Sequence, residues 1–359
     1  MYKKIILLML IVVINASGND YEYYFYNPDI DYGSESIFNP ISLFINGSFD
    51  ILRNGAHNKN IFDQPYKTGF NNVVDNVLHP IDNIRNYGVK NFLNREIFNL
   101  EVNKNESQFL PNIGLHLIGN GMQYRKLAEW YDYHEYPNPN LLSIITTISY
   151  QLVNEIVENG SYSGTNVDPI SDMLIFNPLG ILLFSTKAGQ EFFSTKMPIY
   201  DWSMNPYFNP NNYFLENAGQ QYATKIKLKT TDKNALFGYW GVVSTFGISH
   251  TINETDAISF SAGAVVAKLT PNEEYDSRFI IPNLDYAVAF FYDRNNSLLG
   301  SLTLFGPKFY NLRLEIFPGI IGFKNYKPGF FIGIGEMDNF QFGISFPPIP
   351  IGIIGEISN

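Results

Sequence analysis

Tyr310-Asn-Leu-Arg-Leu-Glu-Ile316 decides the fold of the C-terminal half. Tyr310, Leu312, Leu314 and Ile316 recur at every second residue, and Asn311, Arg313 and Glu315 fall between them. A period of two marks a strand whose faces meet different surroundings. Ile258-Ser-Phe-Ser-Ala-Gly-Ala-Val-Val266 and Phe340-Gln-Phe-Gly-Ile-Ser-Phe346 repeat the pattern. Tyr286 to Tyr292 and Leu298 to Phe305 flank Asp293-Arg-Asn-Asn-Ser297, a hairpin turn signal. About eight or nine such strands are legible between 222 and 357.

The pattern predicts a closed antiparallel β-barrel with its large apolar residues outside. Closure also removes exposed edges. A soluble sandwich or lipocalin-like barrel shows the same alternation with those residues inside, because a period does not say which face is out. On the first reading Ile258, Phe260, Leu312, Leu314 and Phe342 face lipid, while Arg313 and Glu315 occupy the opposite, more tolerant face. Outer-membrane barrels usually finish on an aromatic residue. Phe346 fits that place, and Pro347-Pro348 and an apolar tail to Asn359 follow it.

Composition favours the lipid-facing reading. Charged residues make up 16% of the 359-residue chain, against about 25% in ordinary soluble domains. The 24 Tyr and 30 Phe suit rings placed at a membrane–water interface. An AT-rich genome would inflate the same residues. The net charge of −10 and the lack of a basic stripe exclude a nucleic-acid partner. With no cysteine, disulfides, thiolate metal sites, a cysteine nucleophile and a cysteine lipid anchor are excluded.

The N-terminus reads as a leader. Lys3-Lys4 precede an apolar run from Ile5 to Ile14, and Ala16-Ser17-Gly18 offers small residues for cleavage. The run is too short for a bilayer, which needs about 20 residues. The expected address is the outer membrane or periplasm of a Gram-negative-type bacterium.

Upstream of the strands the period is helical. Ile41, Phe44, Ile45, Phe49 and Leu52 mark a short amphipathic helix, and Val73 to Leu93 mark a longer stripe that Pro80 kinks or splits. Further helices are expected over 113–131, 141–158 and 168–193, the last kinked at Asn177-Pro178. The predicted fold class is therefore α+β: N-terminal amphipathic helices packed on, or plugging, a C-terminal antiparallel β-barrel of about eight or more strands. The division is a leader at 1–18, a helical region at 19–215 and a barrel-like region at 216–359.

Polar groups set into these apolar helices are the candidate site. His116, Asn120 and Tyr124 follow one another at four-residue spacing, on one side of a helix. Gln151, Glu155 and Glu158 share a face near a helix C-terminus, where the dipole disfavours negative charge. Asp168 and Asp172 open the next helix. A histidine and several carboxylates from three neighbouring helices can bind a divalent metal or work as acid–base pairs. The plainer readings are a core histidine at His116, an N-cap at Asp168, solvated helix-end carboxylates at Glu155 and Glu158, and helix or kink stabilisers at Ser171 and Asn177. There is no His-Glu-x-x-His or Glu-x-x-His pair, no nucleophile elbow and no phosphate-cradling loop. His116, Glu155 and Asp172 stand as the catalytic candidates, and Tyr124, Glu158, Asp168, Ser171 and Asn177 as binding candidates. No metal or cofactor is assigned.

This order of residues brings a resemblance. His116 with nearby glycines and Tyr124, Asn154-Glu155 with Glu158, and Asp168-x-x-Ser171-Asp172 with Asn177-Pro178-x-Gly180 resemble an uncharacterised family of exported Gram-negative envelope proteins, a domain of unknown function. The resemblance covers roughly 110–185. In that family Pro usually follows the histidine, where Leu117 stands here. It implies an envelope location and a β-rich C-terminal half, and no activity. The expected role is a structural or amphiphile-binding envelope protein with membrane lipid as partner. The other is an envelope-lipid hydrolase or transferase, metal-dependent or not, using the His/Glu/Asp cluster.

Overall fold

The computed structural model describes residues 22–53, 58–98, 113–161, 167–229, 233–272, 276–306, 310–322, 326–335 and 340–357. The expected leader at 1–18 lies outside them. The chain is α+β, with helices preceding a β-rich C-terminal half. Two compact units form. Among the described residues, one gathers 22–28, those within 65–196, and 272–281; the other gathers those within 29–64, 197–271 and 282–357. This differs from a contiguous cut at 215, because residues 29–64 cluster with the strands.

In the helical unit the apolar stripes became helices for the reasons their sequences carry. Tyr66–Leu78 and Pro80–Tyr87 are separate helices, since a proline cannot donate to the preceding turn. Pro139–Glu158 runs for 20 residues with its proline in the first turn. The expected helix at 113–131 is π-helical over Ile113–Gly119 and α-helical over Asn120–Tyr133. The last one is also broken: Asp168–Ser171, a π-helical Asp172–Phe176, then Asn177–Phe184. Its sharp bend, 85°, falls between Phe184 and Lys187 rather than at Asn177-Pro178. The wider turn ahead of Pro178 absorbs the missing donor. Among the described residues, no single helix is long and apolar enough to cross a membrane.

Close backbone approach holds these helices together. A Cβ on Gly180 would lie 2.5 Å from the Leu117 carbonyl oxygen, and one on Gly69 would lie 1.8 Å from that of Ile156. Only glycine permits such contacts. The first sets the Asn177–Phe184 helix against the segment that carries His116.

The second unit is built on one sheet. Its first strands are short: β1 (Ile199–Asp201), β2 (Tyr207–Asn209) and β3 (Phe214–Glu216). Next come β4 (Gln221–Lys227), β5 (Asn234–Gly241), β6 (Val243–Thr251), β7 (Asp256–Asn272) and β8 (Asp276–Arg294). The rest are β9 (Ser297–Phe305), β10 (Leu312–Ile316), β11 (Gly329–Ile334), β12 (Phe340–Ser345) and β13 (Gly352–Ile357). The spatial order is β1-β4-β5-β6-β7-β8-β9-β10-β11-β12-β13-β2-β3. The β13–β2 pair is parallel, and the other described pairs are antiparallel. Barrel closure was the expectation; the described residues form a 13-stranded sheet that is not closed, with β1 and β3 at its ends. The strands at 199–216 escaped the sequence reading because three residues are too few to show a period. The tail beyond Pro347-Pro348 pairs as β13, so Phe346 does not end the sheet. The hairpin at 293–297 is a two-residue loop, with Asn295 and Asn296 at φ 49° and 61°, as an I′-type turn requires.

The two faces of the sheet are unlike. Leu236, Phe246, Ile248, Ile258, Phe260 and Phe342 are exposed. Their strand neighbours Ser249, Ser259, Ser261 and Gln341 are buried. Arg313 and Glu315 are each 1% exposed, with Leu312 and Leu314 half-buried on the other side. The expectation that Arg313 and Glu315 would tolerate change is thereby corrected. Arg313 Nη2 lies 2.6 Å from Glu315 Oε2. Arg313 Nε donates to Asn217 Oδ1 at 2.6 Å, and Glu315 Oε1 accepts from Asn205 N at 2.7 Å and Asn217 Nδ2 at 2.9 Å. Buried Asp293 pairs with half-buried Lys225 at 2.7 Å, and buried Glu216 with half-buried Lys59 at 2.8 Å. Tyr310 leaves the alternation: it precedes β10, and its hydroxyl contacts Glu216 and Gln341 on the polar side. Elsewhere the buried side is apolar, where Trp202, Phe237, Tyr239 and Phe291 pack with Ile37.

The helix Pro40–Phe49 belongs to this unit. Asn39 caps it by accepting from Ile41 N and Ser42 N, and Asn39 N donates in return to Ser42 Oγ. Its Asn46 donates to the Met204 carbonyl at 2.8 Å and accepts from Gly219 N at 2.9 Å. The helix thus packs against the strand connections of its own unit.

Candidate functional site

The polar groups of the helical unit converge. His116 Nε2 lies 3.2 Å from Asp172 Oδ2. Its Nδ1 lies 3.3 Å from Asn177 Oδ1 and 3.4 Å from Asn120 Nδ2. Asn120 Nδ2 donates to Asn177 Oδ1 at 3.0 Å, and the Tyr150 hydroxyl donates to Asn120 Oδ1 at 3.1 Å. Tyr150, Asn120 and Asn177 thus form a chain of bonds that fixes the imidazole ring. Gln151 adds a hydrogen bond to His116 from the neighbouring helix.

Three carboxylates stand beside this chain. Glu155, Asp168 and Asp172 each place one oxygen so that all three atoms lie within 4.8 Å of one another. Ser171 Oγ donates to Asp172 Oδ1 at 3.1 Å. Asn159 Nδ2 donates to Glu155 Oε2 at 3.4 Å. Glu155 is fully buried; its side chain also bonds to that of Asp172, while its Oε1 accepts from no N–H or hydroxyl donor among the described residues. Glu96 joins from the far side: its side chain bonds to Asp168, and the Tyr87 hydroxyl donates to its Oε1 at 3.2 Å.

The electrostatics follow from this crowding. Burial, and then the charge of Asp168, push the carboxyls of Glu155, Asp172 and Glu96 well above the usual range. Burial pulls the His116 imidazole down, against the opposing charge of Asp168. Carboxyls pushed up beside an imidazole pushed down favour a neutral pair with one proton between Asp172 and His116. Such groups can trade a proton, or surrender it to a cation.

The sequence reading is met unevenly. His116, Asp172, Glu155, Asp168, Ser171 and Asn177 come together. Glu158 is half-buried, and its charge bears on Glu155 and Asp172. Tyr124 does not join them: its hydroxyl accepts from Ser185 Oγ at 3.2 Å. Ile113–Gly119 is π-helical and Asn120–Tyr133 α-helical, so a uniform four-residue spacing does not carry one face from His116 to Tyr124. Asp168 is not the N-cap; Val167 holds that place, and no side chain caps the helix. Glu155 is buried rather than solvated, as a helix-end carboxylate would be.

Glu96, Tyr150 and Asn159 were missed. Glu96 was findable, since it follows Phe92, a member of the Val73 to Leu93 stripe, by four residues. Glu96, His116 and Asp172 all sit on π-helical segments, which recur at functional sites because the wider turn re-aims side chains. A 3.6-residue template cannot register that.

No protein-family model, curated protein or solved structure matches this chain. The resemblance over 110–185 rests on its quoted residues alone.

Proposed function

We propose that the protein is an exported envelope protein whose β unit closes into a barrel embedded in a Gram-negative-type outer membrane. Its role there is structural or amphiphile-binding. The observation that carries this reading is that the exposed side of the sheet is apolar while part of its buried side is polar and charged. Large apolar side chains such as Phe246, 68% exposed, point outward, while the ion pair Arg313–Glu315 and the Asp293 carboxylate paired with Lys225 are buried. In water that arrangement wastes apolar burial on the outside and desolvates charge on the inside. In a bilayer the apolar face meets hydrocarbon and the polar face lines the interior. The test is expression of the full chain in a Gram-negative host. The protein is expected in the envelope fraction, released by detergent and not by high salt. Recovery from the soluble periplasm without detergent would overturn the membrane reading.

The contact between His116 and Asp172, flanked by Glu155, favours a second reading: an envelope-lipid hydrolase or transferase with these three groups at its centre. Envelope lipids incubated with the purified protein are then expected to change in mass, and Glu155→Gln to abolish that change while the protein stays folded. Identical lipid profiles with wild type, with Glu155→Gln and with no protein would remove the enzyme reading.

A further inference from the structure

We infer that Glu155, Asp168 and Asp172 form a binding site for one divalent cation, with His116 positioned against Asp172 as its supporting partner. The inference is independent of the membrane reading, since every residue in it belongs to the helical unit.

Spacing supplies the first argument. Oxygen ligands about 2.1–2.4 Å from a common ion stand at most about 4–5 Å apart, and the three carboxylate oxygens lie within 4.8 Å of one another. The second argument is the Glu155 carboxylate. It is fully buried, its side chain bonds only within the cluster and to Asn159, and its Oε1 accepts from no N–H or hydroxyl donor among the described residues. A buried carboxylate oxygen left without a donor is costly, and an ion among the three oxygens removes that cost.

The third argument is the surrounding shell. Ser171 bonds to Asp172, Asn159 to Glu155, and the Glu96 side chain to Asp168, so each candidate ligand is held by a neighbour. Ligating groups oriented by such partners are the usual construction of a metal site. Three carboxylates beside one imidazole select a hard or borderline cation such as Mg²⁺, Ca²⁺ or Mn²⁺ over Cu²⁺ or a thiophilic ion.

The experiment uses the purified full chain in detergent, stripped with a chelator and titrated with Mn²⁺, with free ion read by its electron paramagnetic resonance. One Mn²⁺ per chain is expected, displaced by excess Mg²⁺ or Ca²⁺. Asp168→Asn, at a half-buried position that tolerates exchange, and Glu155→Gln should each weaken binding more than His116→Ala. The last should fall in the range of about 10–100-fold. Should Glu155→Gln not fold, wild type and Asp168→Asn decide the matter. Wild type that takes up no Mn²⁺ at millimolar concentration would overturn the site and leave the carboxylates neutralised by protons. Binding equally tight in Asp168→Asn and wild type would place the ion elsewhere and overturn it as well.

Discussion

Glu315→Ala is expected to destabilise the protein by about 3–5 kcal/mol, the cost of leaving a buried charge without its partner. Arg313 and Glu315 are each 1% exposed, so water cannot reach the guanidinium once the carboxylate is gone. Asn205 N and Asn217 Nδ2 lose their acceptor in the same step. Arg313→Ala should cost a similar amount, because it strands Glu315 and removes the donor to Asn217 Oδ1. Arg313→Met with Glu315→Leu should cost less than the two single changes together, since no charge is stranded. It should not be neutral, because each amide group left unpaired still costs about 1–3 kcal/mol. Denaturant unfolding in detergent, read by tryptophan fluorescence, measures wild type and the three variants. Single changes costing under about 1 kcal/mol would mean that the pair is hydrated, and that the polar side of the sheet is not an interior.

Phe260→Arg separates a bilayer from water by both sign and size. Phe260 is 51% exposed, faces Ile248 at 55% across β6 and β7, and its ring lies 4.9 Å from that of Phe290. In water, an arginine at such a surface position changes stability by within about 0.5 kcal/mol. In a bilayer it costs about 2–4 kcal/mol near the midplane and about 0–1 near the interfaces. Arginine placed in turn at Phe246, Ile248, Ile258 and Phe260 should therefore trace a profile, largest at mid-depth and falling toward the strand ends. Unfolding measured in lipid vesicles provides the readout. A flat profile within about 0.5 kcal/mol at all four positions would contradict a lipid-facing surface, whatever the closure of the sheet.

Much of the secondary structure was legible because it is local. The stripe from Val73 to Leu93, Pro80 as a break and Asn295-Asn296 between two alternating runs each act through neighbours in the chain. The sites of failure were local rules overridden at a distance. The π-helical turns at 93–97, 113–119 and 172–176 leave no trace in a 3.6-residue pattern, yet they aim Glu96, His116 and Asp172. Tyr124 and Asp168 each had a sound local reading, as a helix-face partner of His116 and as a cap, and packing gave each a different neighbour.

The sequence by itself determined the α+β order, the period of each segment and the residue types able to bind a cation or move a proton. Period, turn chemistry and proline geometry are properties of a few consecutive residues. Only the tertiary structure decided which face of the sheet holds Arg313 and Glu315, because alternation is symmetric and its direction depends on what packs against it. Tertiary structure also decided that Glu96, His116, Glu155, Asp168 and Asp172 meet. Those residues span 77 positions from first to last, and helix crossings such as the one at Gly180, rather than anything in their own neighbourhoods, bring them within a few ångströms.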